Sequence, residues 1–231
     1  MRRNVTWVSL AAVALLSGAA RAQELGEPAA ASLYGPSKAD VAAVPSNEEV
    51  MAAWPAKAAA RRTEGSAVAR CTAAASGALS DCQVMLQRPD AAGFGEALLG
   101  LAPKYRMRPA AEADRPAGTN VVISASWPAA DTPPDWQVQP KPGDFVTTAT
   151  DAITHERLSG RAVMNCLLGK LGTTHQCVVV YQNPPGKGFG TLLLRFAAYL
   201  KLKPALVAGK PIVYSVNIPM DFGPPVANLI Y

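Results

Sequence analysis

Histidine occurs only twice in the 231 residues, at 155 and 175, and no run of like charge is present. Cysteine occurs four times, at 71, 82, 166 and 177, without a C-x2-4-C pair. Each scarcity excludes a class of function. A zinc site needs closely spaced thiolate and imidazole ligands, and that spacing is missing, so no metal is expected. General acid–base or nucleophilic chemistry needs convergent His, Asp or Glu, Cys or Lys. His155 is expected on a solvated helix and His175 on an outward strand face, so neither an enzyme nor a cofactor is expected. Without a basic stripe there is no electrostatic footprint for nucleic acid.

Long apolar runs are also missing beyond the first residues. Arg2 and Arg3 precede a mostly apolar stretch at 5–16, and Ala20-Arg21-Ala22 reads as an A-x-A cleavage site before Gln23. The apolar stretch falls short of the roughly 20 residues that span a bilayer. Residues 1–22 therefore read as a cleaved signal peptide, with a retained inner-membrane anchor as the alternative. Cleavage takes three of the 22 Lys and Arg and none of the 17 Asp and Glu, so the net charge falls from +5 to +2.

What the chain does contain is a repeat. Cys71-x10-Cys82 and Gly93-Phe94-Gly95 recur as Cys166-x10-Cys177 and Gly188-Phe189-Gly190, and Pro109 recurs as Pro204, all at an offset of 95. Matching Gly118 to Gly209, Ser124 to Ser215 and Pro128 to Pro219 gives 91, which implies a four-residue insertion near 111–116. Two homologous units follow, at 46–128 and 149–223. Around them lie an extended lead (23–45), a Pro-rich linker (129–148) and a tail (224–231). Three connectivities are open to four cysteines, and the repeat selects bonds 71–82 and 166–177, each within one unit. Each ring is worth roughly 2–4 kcal/mol to so small a domain. Neither His155 nor His175 has a counterpart in the first unit, so duplication without duplicated polar residues points to a scaffold.

Each cysteine pair sits on a hairpin that turns at Gly77 or Gly172, in a loop of two or four residues. Alternation sets Ala67, Ala69, Cys71, Cys82, Val84 and Leu86 on one face, and Ala162, Met164, Cys166, Cys177, Val179 and Tyr181 on the matching face. Helices at 96–101 and 191–200 follow, then final strands at 119–127 and 211–218. Gly93-Phe94-Gly95 lacks the Lys and Ser or Thr of a phosphate loop, so Phe94 and Phe189 read as core plugs. A further helix, capped by Ser46 or Asn47 and containing Trp54-Pro55, precedes the first hairpin; residues 151–158 hold that place in the second. The predicted class is α+β, each unit a three-stranded antiparallel sheet with a helix on one face.

These residues resemble the TonB C-terminal domain, the periplasmic module of bacterial outer-membrane energy transducers. Trp54-Pro55 stands where the family has Tyr-Pro, and Gly65, Gly160, Gly77 and Gly172 stand at its strand starts and turns. Tyr105-Arg106-Met107-Arg108-Pro109 and Leu200-Lys201-Leu202-Lys203-Pro204 follow the helices. Ala117-Gly118-Thr119 and Ala208-Gly209-Lys210 open the last strands. The chain departs from the family in its paired cysteines, in its altered or missing Tyr-Pro, and in lacking a long Pro-rich spacer.

The resemblance implies binding of an extended peptide along an exposed strand. Carried over by position, the receiving edges are Val121, Ile123, Ala125 and Trp127, and Ile212, Tyr214, Val216 and Ile218. The alternatives are that these strands are ordinary sheet members, or that the two units pair edge to edge. Pro128 and Pro219 at the strand ends would guard an open edge. The implied partner is an outer-membrane receptor or another envelope protein in the periplasm of a Gram-negative bacterium, with membrane contact only if the leader is retained. The implied role is TonB-dependent transport, with a structural adaptor as the alternative.

Overall fold

The computed structural model describes residues 21–22, 31–127, 130, 132–138 and 159–222. The helix expected at 151–158, with His155, lies outside them. Both halves show the expected hairpin, helix and closing strand. Gly65–Ala73 pairs antiparallel with Leu79–Arg88 on one side and with Thr119–Trp127 on the other. Gly160–Leu168 pairs likewise with Thr174–Asn183 and Tyr214–Phe222. The fold is α+β.

Alternation sends every second side chain of the central strands under a helix. Ala67, Ala69 and Cys71 pack with Leu98 and Leu101 of the helix Phe94–Leu101. Ala162, Met164 and Cys166 pack with Leu192, Leu193 and Phe196 of the helix Phe189–Phe196. Disulfides join Cys71 to Cys82 and Cys166 to Cys177, each pair 4.1 Å apart at Cα. The first hairpin turns over three residues, neither two nor four. Ala74 N–H donates to Ala78 across the loop, and Gly77 N–H donates to Ala74 with φ at +83°. Glycine supplies that left-handed step without a Cβ penalty.

Several sequence expectations change. The closing strands align at an offset of 95, not 91, because Gly65 opposes Trp127 and Gly160 opposes Phe222. No insertion separates the units. The aromatic at the strand end decides the register: Trp127 stacks on Phe94 at 5.4 Å and Phe222 on Phe189 at 5.3 Å. Leu86 and Tyr181 leave the face assigned to them. A bulge shifts pairing between Val68 and Ala69, and another between Val179 and Tyr181. One extra residue turns the following side chain to the other face.

The helix containing Trp54-Pro55 is two helices, Asn47–Ala52 and Ala56–Ala60, because proline at 55 has no N–H to continue the ladder. Ser46 is the N-cap of the first, in a capping box with Glu49. The linker also contributes structure. Asp135–Val138 pairs with Lys201–Lys203 and buries Trp136, just as Val41–Ala43 pairs with Arg106–Met107 in the first unit.

Each sheet has a second face, and the two second faces meet. Tyr34, Val68 and Val122 pack against Val163, Val180 and Tyr181. Asn217 Nδ2 donates to Ser124 Oγ at 2.9 Å, and Arg88 donates to the Gln176 side chain and carbonyl at 3.1 and 3.0 Å. The layers run helix, sheet, sheet, helix. Small domains with two-faced sheets need such a cover for the face the helix leaves bare.

Candidate peptide-binding edges and inter-unit cleft

A sheet edge carries unpaired N–H and C=O groups, and any extended segment of matching polarity pattern can satisfy them. The chain does this to itself. Residues Ala31–Tyr34 of the lead add antiparallel to the outer edge of Thr119–Trp127, pairing Ala31 with Ala125, Ser32 with Ser124, Leu33 with Ile123 and Tyr34 with Val122. Ala31 and Leu33 enter the first core, while Tyr34 turns to the layer between the sheets. There its phenol keeps company with Ser32, Ser124, Asn217 and Arg161. The sheet is thus four-stranded, and the lead is not merely an extended run.

This bears directly on the expected receiving edges. Val121, Ile123, Ala125 and Trp127 are fully buried in the core, and the backbone edge beside them is already occupied from Val122 to Ala125. A partner could add there only by displacing Ala31–Tyr34. Pro128 lies outside the described residues.

The second edge differs. Ile212 lies ahead of the strand, its N–H donating to Ala205 at 3.0 Å. Tyr214, Val216 and Ile218 lie within it, with Val216 and Ile218 buried. Pro219 pairs with Val163 inside the strand rather than ending it. Arg21–Ala22 pairs with Asp221 and Met220 at its far end. Ala22 pairs with Met220 as Ala31 pairs with Ala125, and these two partners are related by the offset of 95. Along Tyr214 to Pro219, no described residue pairs with the outer edge.

Beside the start of this strand, a cleft of about 410 Å³ opens between the units, lined by Glu64, Arg88, Asp90, Ser126, Tyr214 and Ser215 among others. The Arg88 end groups are held by Gln176. Burial raises the Glu64 carboxyl above its ordinary value. Burial also raises the Tyr214 phenol, against a hydrogen bond with Ser126 that lowers it. His175 sits exposed on Thr174–Asn183 and does not line the cleft. Among the described residues, no three His, Cys, Asp or Glu side chains gather as a metal site would. The Ala-x-Leu alternation of the lead was the available signal for the strand at 31–34. The cleft had none, since its walls come from segments about 150 residues apart.

Four tyrosines at this layer and beneath it share one electrostatic condition. Burial pushes the phenols of Tyr34, Tyr105 and Tyr214 above 10.0, and that of Tyr181 up to about 12. The folded state therefore holds phenolic protons more tightly than the unfolded chain. Its stability is intact below about pH 10 and falls as pH rises from about 10 towards 12. Tyrosinate absorbance at 295 nm should rise in step with loss of strand circular dichroism. Ionisation of these four with the sheets intact would contradict the burial assignment.

No protein-family model matches the chain, and no curated protein is detectably similar to it.

Proposed function

We propose that the protein is an exported, TonB-like binding module that holds an extended segment of another envelope protein as an added strand. One observation carries the reading: Ala31–Tyr34 already sits on a closing strand in this mode, with alternate side chains in the core. The second unit offers the corresponding strand, Tyr214–Phe222, with most of its outer edge unpaired among the described residues. Backbone hydrogen bonds would supply affinity and the alternate pockets specificity. Two disulfides fit an oxidising compartment such as the periplasm, and no described helix is long and apolar enough to cross a membrane. The partner is an outer-membrane receptor or another periplasmic protein, and the process served is TonB-dependent transport. A structural adaptor is the second reading. It is favoured by the first edge, which the chain fills for itself.

The test uses the exported protein with a photo-crosslinker at Val213, which is 47% exposed beside the edge that no described residue pairs with. Strand addition predicts crosslinks to one extended partner segment and slowed hydrogen exchange along Tyr214–Phe222. Crosslinks to a folded surface, with exchange along that strand unchanged, would sink strand addition.

A further inference from the structure

The two edges differ in what the chain's own sequence can put on them. On the first edge, the core-facing positions are filled by Ala31 and Leu33, at 3% and 7% exposure. On the second, Ala22 stands opposite Met220 as Ala31 stands opposite Ala125. Two residues on from Ala22, the sequence offers Glu24 where the first edge has Leu33. A carboxylate is a poor tenant of an apolar cluster, because burial disfavours its charged form without a partner. The A-x-A site falls at this same place, so cleavage before Gln23 also removes the two residues that pair with Asp221 and Met220.

We infer that removal of the leader clears Met220 and Asp221 on the outer edge of Tyr214–Phe222, and that this edge takes a partner segment reading small, any residue, aliphatic, aromatic. The inference rests on the proposed strand-addition reading and adds to it the moment of opening and the side chains selected. The pattern is that of Ala31-Ser32-Leu33-Tyr34, carried over by moving their partners at 122–125 on by 95 residues to 217–220. The small residue lies opposite Met220, the aliphatic one opposite Ile218, and both face the second core, to which Ile218 and Met220 belong. The fourth residue lies opposite Asn217 and faces the layer between the sheets, where Asn217 already reaches Ser124. An aromatic with a hydroxyl meets the same kind of polar neighbours there that Tyr34 meets.

The probe is an acetylated peptide with the sequence of residues 30–35, Ala-Ala-Ser-Leu-Tyr-Gly, beside its Leu33→Glu counterpart. Exported protein is purified from the envelope, its N-terminus read by mass spectrometry, and amide exchange followed during titration. The expected results are an N-terminus at Gln23, fast exchange along the outer edge of the free strand, and protection on adding the first peptide. The glutamate peptide should bind about thirty-fold more weakly or worse, the loss of one buried leucine. The first edge should stay unperturbed, because its own strand is tethered at high effective concentration.

Equal binding of the two peptides would overturn the pattern. So would perturbation confined to residues 122–125, or an edge already protected in the free protein. A doubled mass would assign the edge to a second copy and overturn the partner reading. If an envelope partner protects Tyr214–Phe222 while the peptide does not bind, strand addition stands and the pattern falls. If neither protects it, both fall.

Discussion

Replacing Phe94 by alanine should cost about 3–5 kcal/mol, read as a lowered urea midpoint with unchanged slope. The side chain is fully buried and is the first residue of the helix Phe94–Leu101. It stacks on Trp127 and lies across Gly65, where an added Cβ would overlap its ring. The indole of Trp127 in turn donates to the carbonyl of Val50 at 2.6 Å, so the same ring stack holds the helix Asn47–Ala52. Gly65→Ala should therefore be destabilising alone and nearly neutral once Phe94 is alanine. Such coupling is what a double-mutant cycle isolates. Phe189, Gly160 and Phe222 repeat the arrangement, and Phe189→Ala should behave alike. A cost below about 1 kcal/mol at either position would mean that the aromatic stack does not set the strand register.

The second large effect is expected at the hairpin turns. Gly77→Ala should cost about 3–4 kcal/mol, whereas Gly118→Ala should cost only about 1–2 kcal/mol. Both glycines have positive φ, +83° and +80°, so both lose a conformation that alanine adopts poorly. Only Gly77 is also in contact. A Cβ there would overlap the carbonyl oxygen of Met107, whose own N–H donates to Gly77 at 2.9 Å. Backbone cannot swing aside as a side chain can, so relief would break the turn away from Arg106–Met107. Gly172 makes the same contact with Leu202. Equal costs at 77 and 118 would show that φ alone accounts for the turn glycine.

Sequence and structure agree where a rule is local. The cysteine spacing, the central hairpins, the closing strand at 119–127 and the capping Ser46 follow from alternation, turn chemistry and capping, which act over a few residues. Disagreement begins where one residue of slippage matters. A period of two carried through a bulge that the sequence does not mark places Leu86 and Tyr181 on the same face as the cysteines, and the structure turns them to the other. The 91-residue offset follows Gly, Ser and Pro, which are common at strand ends, and it masks the match of Trp127 to Phe222. The same match makes Pro219 read as a strand end, whereas it lies inside Tyr214–Phe222.

By itself the sequence determined that two like units exist, that each holds its own disulfide, and that each is a hairpin, a helix and a strand. These depend on spacing that needs no partner. The tertiary structure decided which edges are closed and which face is shared. Ala31–Tyr34 could have paired with any edge, and it took Val122 to Ala125 because Leu33 finds the first core there. Val68 and Val163 could have faced water, and they met because each sheet has one apolar face that its own helix cannot reach. Pairing between distant segments is a choice among competing surfaces, and only the assembled chain makes it.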